Sequence, residues 1–134
     1  MKNIYVDKTK NNGFGIFAGR NIKKSEEIFI VRGKKISAYC IPCMGWIGRR
    51  WLGIGKNMWI KPEKNNLIFY TNHSCNPNAE IKDRVKLIAT KNINMGEEIT
   101  FDYAQTESDP YWRMKCRCRS KNCKKIIMGE AKWQ

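Results

Sequence analysis

The segment Asn72-His73-Ser74-Cys75-Asn76-Pro77-Asn78 is the most informative part of this 134-residue sequence. Turn-forming residues and a proline fill it, so it predicts a loop. His73 is the only histidine in the chain, which invites assignment as a general base. From these residues alone, a polar loop whose imidazole satisfies backbone groups is the better interpretation.

A second segment reads Gly96-Glu97-Glu98-Ile99-Thr100-Phe101-Asp102-Tyr103. It predicts a turn that ends at the glycine, then a strand, with Tyr103 at the strand exit. Adjacent residues of a strand point to opposite faces, so Glu97 and Glu98 make a poor acid/base pair. We interpret both as solvated turn charges.

A third segment, Gly13-Phe14-Gly15, has two glycines that let the backbone approach a ligand closely. It does not match a dinucleotide-binding fingerprint, because the third glycine of that pattern would fall at Ala18 and no following helix is evident. Alone, the segment predicts only a turn.

The fourth segment places Cys116, Cys118 and Cys123 within eight residues. Three thiols at this spacing can converge on one Zn²⁺, which prefers four tetrahedral ligands. The surrounding lysines and arginines favour thiolates. The fourth ligand is not local, and Cys75, Cys40, Cys43 and His73 are all candidates.

The chain as a whole predicts one domain that is mostly β with short helices. Candidate helix-forming sequence lies within residues 38–52, and the tryptophans between residues 46 and 59 are better explained by core packing than by a binding face. Residues 18–30 and 89–101 resemble each other, which we interpret as one turn pattern used twice. Candidate strands are Ile4–Val6, Phe14–Ala18, Glu27–Val31, Met58–Ile60, Leu67–Tyr70, Ala79–Ile81, Val85–Thr90 and Glu98–Phe101.

Composition sets further bounds on function. The formal net charge is +14, which indicates either work close to nucleic acid or an acidic surface, or only a solvated basic surface. No apolar run is long enough for a membrane span or a signal peptide, so we expect an intracellular protein with no membrane contact. In that setting the six cysteines indicate metal binding rather than disulfides.

Taken together and in this order, the four segments resemble the SET-domain protein-lysine methyltransferase family. The family's Asn-His-Ser-Cys-x-Pro-Asn loop matches residues 72–78, and its Gly-Glu-Glu-Leu-Thr-Phe-Asp-Tyr segment differs here only at Ile99. Its glycine motif resembles residues 13–18, and its post-SET Cys-x-Cys-x₄-Cys pattern matches residues 116–123.

The resemblance implies a SET-domain fold of small sheets around a pseudoknot-like crossing, in residues 1–112, and a post-SET zinc-binding segment in residues 113–134. It implies that Cys75 joins Cys116, Cys118 and Cys123 on Zn²⁺, which leaves Cys40 and Cys43 as free thiols. It also implies that S-adenosylmethionine lies against Gly13, Phe14 and Gly15 and contacts Asn72, His73 and Tyr103.

By the same resemblance, Phe101 and Tyr70 border a channel for the target lysine, and Tyr103 orients the methyl group as the catalytic residue. A phenylalanine at position 101 leaves room for di- or trimethylation. Two departures concern Val31, where many relatives have an aromatic channel wall, and Arg119, where glycine is usual. Tyr111, Trp112 and Trp133 either cover the adenine or pack in the core.

The expected reaction is therefore methyl transfer to a lysine of a protein substrate, such as a histone or a DNA-associated protein. The rival interpretations are a non-catalytic SET-like module that binds chromatin or nucleic acid, and a zinc-ribbon nucleic-acid binder. The sequence leaves the oligomeric state open. The expected location is the cytoplasm of a microbe, or the nucleus and host chromatin for a viral protein or an exported effector.

Overall fold

A computed structural model describes residues 3–10, 13–37, 51–107 and 112–131. Cys40, Cys43, Trp46, Tyr111 and Trp133 lie outside these residues, as does most of the segment expected to hold a short helix. The described residues form twelve strands and two 3-10 helices, which confirms the predicted mostly β fold.

The strands are numbered in chain order. They are β1 (Ile4–Lys8), β2 (Phe14–Ala18), β3 (Glu27–Ile30), β4 (Gly33–Ser37), β5 (Leu52–Gly55), β6 (Met58–Pro62), β7 (Asn72–His73), β8 (Ala79–Lys82), β9 (Lys86–Ala89), β10 (Glu98–Phe101), β11 (Arg113–Lys115) and β12 (Ile126–Met128). The 3-10 helices span Leu67–Tyr70 and Tyr103–Thr106.

Four small sheets share these strands, with the orders β1-β2-β10-β7, β3-β9-β8, β4-β6-β5 and β11-β12. The main core lies between the first two sheets. Alternation along β10 buries Ile99 and Phe101 in that core and turns Glu98 and Thr100 the other way. The same strand therefore contributes to both the core and the site described below.

The two similar segments pair with each other. Ile22 and Ile93 exchange backbone hydrogen bonds of 2.8 Å in both directions. The Asn21 side chain accepts from the Met95 N–H at 2.8 Å, and the Asn92 side chain accepts from the Lys24 N–H at 2.9 Å. The turn pattern used twice is therefore a reciprocal contact with approximate two-fold symmetry, which fixes β2 and β10 relative to β3 and β9.

The sheet β4-β6-β5 has its own small core of Val31, Leu52, Ile54 and Ile60. Trp59 on β6 is also buried, which confirms the core assignment for this tryptophan. Gly53 lies so close to the second 3-10 helix that a Cβ would be 2.3 Å from the Thr106 carbonyl oxygen. A side chain at position 53 would push the sheet away from the helix that begins at Tyr103.

One predicted strand is wrong. Leu67–Tyr70 forms a 3-10 helix because Asn66 caps it, with the Asn66 side chain accepting from the Ile68 N–H at 3.0 Å. Five strands were not predicted: β4, β5, β7, β11 and β12. Lysines fill β4 and glycines fill β5, and β7 is the start of the segment predicted to be a loop. Among the described residues, no helix is long and apolar enough to cross a membrane.

Candidate active site and cysteine cluster

Two distant segments meet in a parallel strand pair. Strand β7 lies beside β10, with Asn72 opposite Thr100 and His73 opposite Phe101. The Ser74 N–H extends the pairing by donating to the Phe101 carbonyl at 3.1 Å. The Asn-His-Ser-Cys loop and the strand that ends before Tyr103 therefore lie side by side, as the site predicted from the sequence requires.

Asn72 links this pair to the glycine segment. Its Nδ2 donates to the Phe14 carbonyl at 2.8 Å and to Glu98 Oε2 at 2.9 Å. Both amide hydrogens are thereby used within the protein, and Oδ1 is left as an acceptor. This contact joins three of the predicted site segments: the glycine turn, the loop and the strand.

A larger residue in place of Gly15 would displace neighbouring side chains. A Cβ there would lie 2.6 Å from Glu98 Oε2 and 3.1 Å from Asn72 Nδ2. The backbone of residues 13–15 consequently runs directly against the loop and the strand, with Gly13 in the left-handed turn that precedes β2. Gly13, Phe14 and Gly15 are not among the residues that line the second cavity described below, so their contact with a ligand stays a prediction.

The interpretation of Glu98 as a solvated turn charge is wrong, although Glu97 is exposed as expected. Glu98 is half-buried on β10 and accepts from Asn72. Strand alternation carries the signal that we missed, since it places Glu98 on the face opposite Ile99 and Phe101, where Asn72 also lies.

His73 is buried, and both of its ring nitrogens have partners inside the protein. Nδ1 accepts from the Tyr103 backbone N–H at 3.0 Å, and Nε2 lies 3.3 Å from Cys75 Sγ. Burial lowers the pKa of His73, against the opposing effect of the nearby Asp102 carboxylate. The ring is therefore neutral and committed to the fold, which agrees with its assignment as a scaffold residue rather than a base.

Tyr103 begins the second 3-10 helix, which the Asp102 side chain caps by accepting from the Ala104 N–H at 3.0 Å. The Tyr103 hydroxyl donates to the Thr71 carbonyl at 2.6 Å. Its ring meets His73 edge-on, with centroids 5.3 Å apart, and lies 5.0 Å from the Phe101 ring. The hydroxyl group and the ring of Tyr103 are therefore both held in place by neighbouring residues.

Two cavities meet at Tyr103. The first, of about 190 Å³, is largely aromatic and apolar, and the second, of about 290 Å³, lies between β7 and the C-terminal segment. The aromatic cavity is lined by Trp51, Leu52, Ile68, Phe69, Phe101, Tyr103, Thr106, Glu107 and Trp112. The second is lined by Asn72, His73, Tyr103, Met114, Lys115, Cys116, Arg117, Cys118 and Ile127.

The cavity linings refine several sequence expectations. Phe101 lines the aromatic cavity, whereas Tyr70 packs half-buried against the main core and is not among the lining residues. Val31 lies buried in the core of the β4-β6-β5 sheet. Trp51 is a half-buried wall of the aromatic cavity, so the core assignment is wrong for this tryptophan. Phe69 supplies a further aromatic wall that the sequence did not suggest. Trp112 lines the aromatic cavity and packs against the cysteine cluster.

Four cysteines converge beside the second cavity. The sulfur atoms of Cys75, Cys116, Cys118 and Cys123 all lie within 4.8 Å of one another, and Cys75 Sγ is 3.7 Å from Cys116 Sγ. Tetrahedral Zn²⁺ with Zn–S bonds of about 2.3 Å separates its sulfur ligands by roughly 3.8 Å. The donor set and its spacing fit zinc, and of the four candidates for the fourth ligand it is Cys75 whose sulfur lies in the cluster.

Burial opposes the formation of thiolates at two of the four cysteines. Burial raises the pKa of Cys75 and raises that of Cys116 to about 12. For Cys118, burial also raises the pKa, but hydrogen bonds from Ser120 and from the Cys75 N–H outweigh it and lower the value to about 6. A cation is needed to hold all four sulfurs as thiolates.

Comparison with known proteins agrees with this geometry. The family model described as SET domain matches residues 13–104, and the chain belongs to this family. It is 32% identical over 137 residues to the Arabidopsis thaliana histone-lysine N-methyltransferase ASHR3, covering 91% of this chain and 27% of that protein. It is 31% identical over 145 residues to a Candida glabrata histone-lysine N-methyltransferase described as H3 lysine-36 specific, covering 96% of this chain and 20% of that protein.

Solved structures give the same fold. The chain superposes with a TM-score of 0.70 and 20% identity on KRYPTONITE in complex with mCHG DNA and SAH, covering 93% of this chain and 29% of that one. For a humanized mutant of Chaetomium thermophilum Polycomb Repressive Complex 2 bound to the inhibitor GSK126, the TM-score is 0.67 and the sequence identity is 24%, covering 81% of this chain and 16% of that one. The chain thus spans less than a third of the length of each of these proteins.

Proposed function

We propose that this protein is a protein-lysine N-methyltransferase that uses S-adenosylmethionine. The observation that carries the proposal is the position of Tyr103, which forms part of the wall of two adjoining cavities. The second cavity is bordered by the Asn-His loop, and the first is lined mostly by aromatic and aliphatic side chains. A methyl donor in the second cavity and a lysine in the aromatic cavity would meet at this tyrosine.

The second cavity suits the methyl donor. When bound, S-adenosylmethionine supplies an electrophilic methyl group on a positively charged sulfur, and it also carries an ammonium group. Asn72 presents Oδ1 as an acceptor because both of its amide hydrogens are used. The backbone of Gly13, Phe14 and Gly15 packs against Asn72, and the His73 ring supports the same wall.

Tyr103 is assigned the orienting role. Its hydroxyl proton is committed to the Thr71 carbonyl, so any further contact of that oxygen is as an acceptor. An accepting oxygen favours an electron-poor methyl group through weak C–H···O contacts and fixes its direction. Since the reaction is a one-step displacement, alignment of this kind supplies much of the rate.

The aromatic cavity suits the target lysine in its reactive form. Only a neutral amine can attack the methyl group, and the apolar side chains of this cavity lower the pKa of a lysine by disfavouring the ammonium. Glu107, which also lines the cavity, would act in the opposite direction. Phe101 is buried in this wall and has no hydroxyl group to hold a water or an amine proton. We therefore expect di- or trimethylated products, and a Phe101→Tyr variant that stops at monomethyllysine. Mass spectrometry of the product peptide measures this directly.

The four cysteines would hold a structural zinc ion. All four tetrahedral positions are filled by protein sulfur, so the ion is closed to substrate and acts by ordering the C-terminal segment. That segment, assigned to residues 113–134, forms one side of the second cavity, and the unit of residues 1–112 forms the rest. Zinc would therefore complete the cofactor cavity without taking part in methyl transfer.

Calorimetry with S-adenosylmethionine, followed by incubation with the methyl-labelled cofactor and candidate proteins, tests the proposal. We expect stoichiometric cofactor binding and label on a lysine of a protein band. A non-catalytic SET-like module predicts no cofactor binding, and that result would overturn the assignment. Cofactor binding without methyl transfer to any histone or other candidate would support the cofactor assignment and would exclude the tested proteins as substrates.

The substrate is proposed to be a histone or another DNA-associated protein. The charge of +14 favours approach to a polyanion, and residues 113–125 hold seven lysines and arginines with no acidic residue. Exposed cations on this segment would contact phosphates near the active site, which favours a location on chromatin or other nucleic acid.

Binding of duplex DNA at several salt concentrations measures this contact. Replacing Arg117 and Lys121 by glutamine should reduce the slope of log K against log salt by about 2, since each phosphate contact contributes roughly 0.9. The matched control replaces Lys23 and Lys24, in the turn between β2 and β3, by glutamine. An equal reduction of the salt slope in both variants would indicate that the whole basic surface attracts DNA without a specific contact at residues 113–125. Absence of DNA binding by the native protein would refute the proposed contact.

A further inference from the structure

The sole histidine of the chain connects the cysteine cluster to the start of the second 3-10 helix. Its Nδ1 faces the Tyr103 backbone N–H at 3.0 Å. A backbone N–H can only donate, so Nδ1 holds a lone pair. In a neutral imidazole the single proton is then on Nε2. Nε2 lies 3.3 Å from Cys75 Sγ, and the ring therefore donates to that sulfur.

Asp102 is not the partner that orients this ring. Its Oδ1 lies 3.5 Å from Nδ1 of His73, but it accepts from the Ala104 N–H at 3.0 Å as the cap of the helix. With a lone pair on Nδ1, the carboxylate faces another acceptor and makes no hydrogen bond to it. The orientation of the imidazole is consequently set by Tyr103 on one side and Cys75 on the other.

Cys75 is placed as a receiver of hydrogen bonds. Besides the ring N–H, the Lys124 backbone N–H donates to Sγ at 3.3 Å. Two N–H donors on one sulfur suit a thiolate that is also bound to a cation, because charged acceptors make the stronger bonds. The sulfur that would bind zinc is therefore the same atom that holds the imidazole.

We infer that His73 is a positioning residue which transmits metal occupancy of the four-cysteine site to Tyr103. The metal fixes the sulfur, the sulfur fixes the imidazole through Nε2–H, and the imidazole fixes the Tyr103 backbone and packs against its ring. This inference rests on the proposed zinc site and on the proposed role of Tyr103. It adds that the metal acts on the reaction centre through one side chain as well as through the C-terminal segment.

The native protein offers a direct measurement. Because there is only one histidine, its two ring nitrogens give unambiguous ¹⁵N resonances. With zinc bound, we expect the tautomer with the proton on Nε2, and both resonances should shift when a chelator removes the metal. A proton on Nδ1, or ring resonances that are unchanged by removal of zinc, would overturn the inference.

Two variants separate the two halves of the connection. His73→Asn keeps an acceptor close to the place of Nδ1 and loses the donor to sulfur, whereas His73→Gln reaches the sulfur with an amide N–H and loses the acceptor. Removing an outer partner of a metal ligand typically weakens metal binding by about 10- to 100-fold. We expect that loss for Co²⁺ and Zn²⁺ in His73→Asn, with a shifted Co²⁺–thiolate charge-transfer band.

His73→Gln should behave in the opposite way. Its Co²⁺ spectrum and metal affinity should stay close to those of the native protein, while cofactor affinity and turnover fall even at saturating zinc. Ile93→Val is the matched control, since Ile93 is fully buried in the main core and its truncation lowers stability without contact with the cluster. Metal affinity that falls equally in His73→Asn and in the control would contradict a specific role for the histidine.

These readouts remain separate from methyl transfer. A zinc-dependent tautomer signal in a protein that methylates nothing would support the connection and refute the proposed activity. An active enzyme whose histidine resonances do not respond to zinc would support the proposed activity and refute the connection. If neither variant folds, the ¹⁵N measurement on the native chain still decides.

Discussion

The SET unit and the C-terminal segment are stabilised in different ways. The SET unit buries a cluster rich in isoleucine between hydrogen-bonded strands, and its two similar turns hold each other by reciprocal bonds. The C-terminal segment buries one large aliphatic side chain, Ile127, against Ala104, Cys75 and Cys116. The first unit has a core of its own, whereas the second buries little apolar surface, and we expect its order to depend on a metal bound by the four sulfurs.

Backbone conformation shows the same contrast. Three of the five left-handed non-glycine residues described in the SET unit, Asn57, Asn65 and Asp83, are types that tolerate this conformation, and the other two are Ser25 and Arg84. In the C-terminal segment the left-handed residues are Arg119 and Lys125, which have no such preference. Strain of this kind persists only where surrounding contacts impose it, and here those contacts converge on the cysteine cluster.

Removing one sulfur should have the largest effect. Cys75→Ser should lose most of its zinc, unfold residues 113–131 and abolish cofactor binding, because structural zinc contributes about 10–16 kcal/mol to small sites. Metal analysis and hydrogen exchange should show loss of protection in the C-terminal segment with strands β2 and β10 still protected. Cys40→Ser and Cys43→Ser are the controls and should retain zinc. Full zinc in Cys75→Ser would show that this sulfur is not a ligand.

Removing the Tyr103 hydroxyl should have the next largest effect, on rate and not on folding. We expect Tyr103→Phe to lower kcat by about 10- to 100-fold, since displacement by about 1 Å at a reacting centre costs on the order of 100-fold. Zinc content and the hydrogen-exchange pattern should match those of the native protein. Steady-state kinetics with saturating cofactor measures the change, and unaltered kcat would refute the orienting role.

A matched pair of truncations sharpens the comparison between the two units. Ile99 and Ile127 are both fully buried, one in the main core and the other against the cysteine cluster. Ile→Val costs about 0.5–1.5 kcal/mol in either case. Ile99→Val should lower the thermal midpoint of the SET unit and leave zinc affinity unchanged. Ile127→Val should weaken zinc by up to about tenfold, because metal binding and folding of the C-terminal segment are coupled.

Those two variants are measured by calorimetry of unfolding and by competition with a zinc chelator. If both lowered the thermal midpoint equally and neither affected zinc, the two units would form one cooperative structure. The contrast in stabilisation would then be wrong.

Much of the fold and site could be predicted because local sequence and tertiary contacts agree there. The bounds of Phe14–Ala18 and Glu98–Phe101 were predicted without error, since β-branched and aromatic residues alternate between turn signals. The four cysteines and the Asn72–Tyr103 pocket followed from motif resemblance. Leu67–Tyr70 has the same apolar composition as a strand, and only the capping by Asn66 makes it helical.

Contacts between distant segments could not be predicted. Sequence similarity between residues 18–30 and 89–101 indicated two like turns but not that Asn21 and Asn92 bond to the opposite turn. The partners of Glu98 and of the Tyr103 hydroxyl are likewise defined only by the folded chain. Such pairs depend on strand order, which a single sequence does not contain.

The smallest expected effect tests whether the cysteine cluster sustains the strain at Arg119. Arg119 has a φ of 62°, in the region that favours glycine. Relief of this conformation is worth about 1–2 kcal/mol, of which the greater entropy of unfolded glycine offsets about 0.5–1. Arg119→Gly should therefore bind zinc several-fold more tightly than Arg119→Ala, which loses the same charge but keeps the Cβ. Equal zinc affinities of the two variants in chelator competition would mean that the left-handed conformation at position 119 costs the zinc-bound state nothing. The cysteine cluster would then not be what imposes it.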